Sequence, residues 1–198
     1  EPQREFVSSA IVSAEALLGI IGQILDFAKL ESTSGMHQEL VIESFDINEM
    51  VNELVDIVGH QANKNQVELV LDVAPELDGL NVRGDKFRLR QALINVINNS
   101  IKFTREGGEV IENDFLAPHA PRVVVAFEVC DNGIGIARDK LKLIFMPFGQ
   151  ASVSSTREYG GTGLGLAITN NIVQSVGGTI TCSSELEKGT TMVLSVPL

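Results

Sequence analysis

Four short stretches carry residue types that suit chemistry. The first is EYGGTGLGLAI (158–168), with four glycines in six positions just ahead of an apolar helical pattern. Glycine weakens helices, so its clustering there implies that something approaches the backbone closely. Free N–H groups at a helix N-terminus suit an anion, and the helix dipole adds about 0.3–1 kcal/mol per favourable charge. The stretch is not a P-loop, because no Gly-Lys-Ser/Thr follows. Gly161, Gly163 and Gly165 run G-x-G-x-G and miss the last position of the dinucleotide fingerprint.

The second stretch is DNGIGI (131–136). Asp131 ends an apolar run, where an unpaired carboxylate is costly. A base with an exocyclic amine satisfies it. Adenine offers a donor there and guanine an acceptor, so the position discriminates. Gly133 and Gly135 allow close backbone approach. The third is NVINNSIKFT (95–104). On a helix, Asn95, Asn99 and Lys102 fall at i, i+4 and i+7, on one face. Amide oxygens suit hard Mg²⁺ carrying phosphates, and Lys102 adds a point charge. Asn98 points elsewhere and reads as exposed. The fourth is FMPF (145–148), leading into a polar, Gly- and Ser-rich loop. Phe145 and Phe148 suit a staple for a mobile lid, and Arg157, late in that lid, suits a terminal phosphate. Taken singly, each stretch also has a plain structural reading: a tight turn, a cap, a solvated face, a loop anchor.

The elements that must position these residues follow from periodicity. Residues 1–33 read as one long helix, with Val7, Ile11, Ala14, Leu18, Ile21, Leu25 and Ala28 on one stripe. Nothing nearby covers that stripe, so a second helix or chain in coiled-coil-like packing is expected. STSG (32–35) breaks the helix. HQELVIESFD reads as a strand. Asp46 and Glu49 make a capping-box pattern ahead of an amphipathic helix through Met50, Leu54, Ile57 and Val58. QVELVLDV is a second strand, and PELDGLNVRGD a loop with a short extended piece. Asp85 caps a helix through about Phe103. TREGGEVIENDFLAPHAP reads as irregular, a hairpin or a loop insertion. RVVVAFEVCD is a buried strand, RDKLKLIF a short helix, and GLGLAITNNIVQSVGG a helix ended by Gly177 and Gly178. TITCSSE and TTMVLSVPL close as an antiparallel pair. This order favours an α+β fold, one mixed sheet covered on one face by helices.

The 198 residues carry a net charge of −11, which argues against nucleic acid as a partner. No apolar run reaches the length of a membrane span. Cys130 and Cys182 have no metal-ligand spacing and read as buried reduced thiols, consistent with a cytoplasmic location. The opening EPQREF lacks a signal peptide and an initial Met, so a fragment of a longer protein is expected, with membrane anchoring of that parent left open by the sequence.

Together the four stretches resemble the catalytic and ATP-binding domain of sensor histidine kinases, in the gyrase, Hsp90, histidine kinase and MutL superfamily. NVINNSIKFT is similar to the N box, DNGIGI to the G1 box, FMPF to the F box and GGTGLGL to the G2 box, in the family's order. FGQASVSSTREYGGTGLGLAI is similar to hybrid-type kinases, which pass phosphate to a receiver domain. The resemblance implies a Bergerat-type ATP-binding α/β sandwich over residues 37–198. Residues 1–36 resemble the second helix of the dimerisation and phosphotransfer hairpin, with its linker.

By that resemblance, Asn99 holds Mg²⁺, Asn95 supports it and Lys102 contacts phosphate. Asp131 binds adenine, with Gly133 and Gly135 near the nucleotide. Gly161, Gly163 and Gly165 form the lid hinge and phosphate contact, with Thr162 and Leu164 in the same box. Phe145, Phe148 and Arg157 complete the ATP site. The family's hydrolases carry a Glu where this chain has Asn95, so slow hydrolysis is implied. The helix with the acceptor histidine is absent, and His37, His60 and His119 do not replace it. The implied partners are ATP, a histidine-bearing hairpin helix, a response-regulator receiver domain and a second copy of the parent chain. The competing reading is a degenerate ATP-sensing or scaffolding module without phosphotransfer. Two departures stand out. Ser100 replaces the usual Ala, and residues 107–121 look longer than a minimal loop.

Overall fold

The structure, a computed structural model, describes residues 40–117, 123–149 and 162–198, with scattered positions between 7 and 28. The chain divides into two compact units, Glu1–Gln38 and Glu39–Leu198. In the first unit the described positions are helical, and Val7, Leu18, Ile21 and Leu25 of the apolar stripe are exposed. Among the described residues, no helix is long and apolar enough to cross a membrane.

The second unit begins with β1 (Glu43–Asp46), shorter than the strand expected from residue 37 onward. It pairs antiparallel with β3 (Asn81–Gly84) as a separate two-stranded ribbon. Asp46 ends β1 and caps α1 (Ile47–Lys64), accepting from Glu49 N at 3.0 Å. Such a cap contributes about 1 kcal/mol. Met50, Val51, Leu54, Val58 and Ala62 of α1 are buried; Ile57, expected on that face, is exposed. Asp85 caps α2 (Lys86–Phe103) through Arg88 N at 3.0 Å and accepts from Val41 N at 3.1 Å. One buried carboxylate thus starts a helix and ties down the chain entering β1.

Among the described residues, five strands form one mixed sheet in the order β2-β4-β5-β7-β6. They are β2 (Glu68–Val73), β4 (Glu109–Ala117), β5 (Val124–Asp131), β6 (Thr179–Glu185) and β7 (Gly189–Pro197). Only β2 and β4 run parallel; β4, β5, β7 and β6 pair antiparallel in turn. Among the described residues of this unit, three helices, α1, α2 and α3 (Gly165–Ser175), bring buried apolar stripes to one face of this sheet. The α+β expectation therefore holds.

Two local readings change. The irregular stretch beginning at Thr104 contains β4, a strand near the middle of the sheet, whose alternation is masked by Glu112 and Asp114 at core positions. RDKLKLIF forms two short 3₁₀ turns, Arg138–Lys140 and Leu143–Phe145, in place of a helix. Their side chains are partly exposed, with Ile144 the buried anchor, so little apolar burial favours a longer helix there.

Candidate nucleotide-binding site

The site grows from the C-terminal half of α2. Asn95 and Asn99 are half-buried on that helix, one turn apart, and so is Lys102. Asn98 is half-buried as well, against its expected exposure. Asn95 Nδ2 donates to the Gly165 carbonyl at 3.4 Å, which joins α2 to the start of α3. Lys102 Nζ stands 5.0 Å from the centroid of the Phe103 ring, and burial lowers its pKa from the ordinary lysine value.

Asp131 closes β5 beside this helix. Its Oδ1 accepts from Gly133 N at 3.0 Å and from Thr190 N at 3.2 Å. Burial raises the Asp131 pKa, while the bonds from Gly133, Ser100 and Thr190 act against that rise. A carboxylate offers about four lone-pair directions, so these donors leave room for a ligand amine. Behind it, the Ser184 hydroxyl donates to Gly189 O at 2.8 Å, accepts from Ile136 N at 2.7 Å and stands 2.9 Å from the Thr190 hydroxyl.

The glycines of DNGIGI serve the protein's own backbone first. A side chain at Gly133 would run into the Phe103 carbonyl, and Ile134 N donates to that carbonyl at 3.1 Å. Gly135 has φ +66° and is pressed against the Glu185 carbonyl. The loop is thereby clamped between the end of α2 and the β6–β7 turn. Glu187 N donating to Ile134 O at 2.9 Å completes the clamp.

Gly163, with φ +70°, brings the glycine-rich stretch against Phe148: a Cβ there would lie 2.8 Å from the Phe148 carbonyl carbon. Thr162 Oγ1 accepts from Leu164 N at 3.2 Å, Leu164 is buried, and α3 then starts at Gly165. Phe145 is half-buried and Phe148 is exposed with φ +60°. Ile144 is the buried anchor of this stretch, and the lid that follows lies outside the described residues. Arg157 and Gly161 lie outside the described residues.

The structure thus brings Asn95, Asn99, Lys102, Asp131, Gly133, Gly135, Phe145, Phe148, Thr162, Gly163, Leu164 and Gly165 into one connected region. Sequence reasoning missed the support that Ser100, Ser184 and Thr190 give to Asp131. The only sequence signal was Ser100 standing where the resembled family has Ala. Both cysteines are half-buried free thiols, and burial raises Cys182 to about 11. Among the described residues, no group of three His, Cys, Asp or Glu side chains could hold a metal.

A mixed sheet with helices on one face, an aspartate ending a central strand and paired asparagines on the adjacent helix define an ATPase-type nucleotide-binding domain. Residues 84–198 match the family of histidine kinase-, DNA gyrase B- and HSP90-like ATPases, and the chain belongs to that family. It is 35% identical over 99% of its length to the sensor histidine kinase GacS of Pseudomonas protegens. It is 36% identical over all of its length to the autoinducer 2 sensor kinase/phosphatase LuxQ of Vibrio cholerae. It is 37% identical over all of its length to the hybrid signal transduction histidine kinase A of Dictyostelium discoideum. The chain spans 21%, 22% and 9% of those relatives. Full-length ShkA, solved in complex with AMPPNP, matches all of the chain with a TM-score of 0.82 at 29% identity; the chain covers 39% of it. The catalytic domain of the histidine kinase ThkA matches 81% of the chain with a TM-score of 0.65 at 25% identity, over 96% of its own length. The second unit is therefore a catalytic domain of the histidine-kinase type.

Proposed function

We propose that the chain is the catalytic core of a hybrid, cytoplasmically facing sensor histidine kinase. It binds Mg·ATP and transfers the γ-phosphoryl group to a histidine on a helix supplied by the parent protein. A receiver domain then takes the phosphoryl group from that histidine. Residues 1–36 act as one helix of the dimerisation hairpin and its linker, and 37–198 as the catalytic domain. The observation that carries this reading is the hold on Asp131, whose Oδ1 accepts from Gly133 N and Thr190 N at the end of β5. Beside it, Asn95 of α2 is joined to the glycine-rich stretch through the Gly165 carbonyl.

Asp131 accepts from the adenine amine. Asn99 and Asn95 present amide groups to the phosphate end. The donor set fits Mg²⁺, which prefers oxygen ligands and takes one or two from protein while keeping waters. When bound, Mg²⁺ offsets charge on the phosphate oxygens. Lys102 places a cation at the same end. Thr162, Gly163, Leu164 and Gly165, with Gly161 and Arg157 ahead of them, shape the phosphate side. Phe145 and Phe148 flank it. Catalysis is then positioning and charge stabilisation, with no covalent step on the protein core. Asn95 cannot act as a general base, so bound ATP persists until an acceptor arrives.

The test is phosphotransfer in trans. This chain, Mg·ATP and a separate hairpin bearing the acceptor histidine should yield acid-labile, base-stable phosphate, abolished by Asn99→Ala. ATP binding without label, using the parent's own hairpin, would establish a nucleotide-sensing module instead.

A further inference from the structure

Strand β4 places two carboxylic acids inside the apolar core. The pairing registers align side chains in rows across the sheet. One row reads Leu71, Glu112, Val129, Met192, Cys182, and the next reads Val73, Asp114, Phe127, Leu194, Ile180. Glu112 and Asp114 are each 1% exposed. None of their four carboxyl oxygens has a hydrogen-bond partner.

The surroundings offer no countercharge among the described residues. The neighbouring strands bring Leu71 and Val73 of β2 and Val129 and Phe127 of β5 beside them. Asp131 of β5 and Cys182 of β6 share the inner face and add no positive charge. The turn Pro75–Leu77 contributes buried Leu77 and exposed Glu76. The buried face of α2 carries no titratable group. The cations of α2 are engaged elsewhere: Lys86 and Arg90 pair with Glu53, Arg88 with Asp85, and Lys102 lies against Phe103.

A lone carboxylate in such a place is far costlier than the neutral acid. Burial raises Glu112 to about 8, with the charge of Asp114 adding to it, and raises Asp114 to about 7. Both folded values lie above the unfolded ones. Their contribution to stability is therefore complete below the ordinary carboxylate range and is lost as pH rises through about 7 and 8.

The same strand abuts the nucleotide site. Val110 pairs with Asp131, Glu109 N donates to Asn132 Oδ1 at 2.9 Å, and Asn132 N donates to Glu109 O at 3.3 Å. We propose that β4 is a pH-gated strand: deprotonation of Glu112 and Asp114 in the core loosens its pairing with β5 and weakens the Asp131 end of the site. The second half of this statement rests on the nucleotide-binding reading above.

The experiment follows thermal unfolding of the 198-residue chain from pH 5 to 9 without nucleotide, alongside the Glu112→Val/Asp114→Val variant. A Glu112→Gln/Asp114→Asn variant serves if the valines misfold. The wild-type Tm should fall by roughly 5 °C per pH unit between pH 5 and 7, while the variant stays nearly flat. Parallel curves overturn the proposal. Affinity for Mg·ADP is then compared at pH 6 and pH 8.5. A loss of roughly tenfold in wild type, absent in the variant, supports the coupling. Diverging Tm curves with unchanged affinity overturn the coupling. Diverging curves with no nucleotide binding at any pH leave the gated strand standing and overturn the nucleotide reading.

Discussion

Asp131, at the end of β5, accepts through Oδ1 from Thr190 N of β7 at 3.2 Å, and the Ser100 hydroxyl on the buried side of α2 acts on the same carboxylate to lower its pKa. Two elements far apart in sequence are thereby fixed to each other at the point where a base would be read. Removing the hydroxyl should leave the helix intact, because alanine is the better helix former. Ser100→Ala should weaken Mg·ATP binding by about fivefold, or roughly 1 kcal/mol for one lost hydrogen bond. It should also move the acid limb of binding to higher pH, since that bond opposes the burial-driven rise at Asp131. Titration calorimetry between pH 4 and 7 reads both effects, and an unchanged pH profile would sink the assignment.

In wild type the sign is fixed by Asp131 itself. Burial raises its pKa, so protonation begins at a higher pH than for an ordinary aspartate. The acceptor for an exocyclic amine is full above that pKa and lost as pH falls through it. Nucleotide affinity should therefore decline on acidification while the fold, judged by circular dichroism, is retained. A flat affinity down to pH 4 would remove Asp131 from base recognition.

Much of this architecture was legible in the sequence, for reasons tied to particular residues. Asp46 and Asp85 announce α1 and α2, because a carboxylate that accepts a free N–H at a helix start has a fixed offset from the apolar stripe. The spacing of Asn95, Asn99 and Lys102 is likewise a local property of one helix. β4 was not legible. Glu112 and Asp114 occupy the inward positions, so the period-two signal that marks a strand is inverted there. The Ser100, Ser184 and Thr190 support of Asp131 was hidden for a different reason. It depends on strand register and on where α2 crosses the sheet, neither of which leaves a local pattern. Gly135 was read as room for a ligand, whereas its nearest neighbour is the Glu185 carbonyl.

That packing makes Gly135 a structural residue with a measurable cost. Its φ of +66° disfavours a side chain, and a Cβ would collide with the backbone of the β6–β7 turn. Gly135→Ala should destabilise the domain by about 2 kcal/mol or more. Urea unfolding monitored in the absence of nucleotide checks this, and a midpoint within error of wild type would show that the turn yields freely. Gly79, with positive φ but open space around it, should lose less on the same substitution.

Asp85 offers the sharpest separation of charge from geometry. It is buried, caps α2 through Arg88 N, holds Val41 N at 3.1 Å, and pairs with Arg88 Nε at 3.4 Å. Alanine removes the cap and strands two backbone donors and a half-sheltered guanidinium. Asparagine keeps one acceptor oxygen and loses the charge. Asp85→Ala should therefore cost about 2–3 kcal/mol, and Asp85→Asn about 1 kcal/mol. The difference should shrink little in high salt, because the bonds to backbone N–H groups are short-ranged and sheltered from screening. Denaturation midpoints at low and high salt decide this. Equal losses for the two variants would assign the stability to the Oδ2 contacts, the Arg88 ion pair and the Val41 tether, and a loss only with alanine would assign it to the cap at Arg88 N.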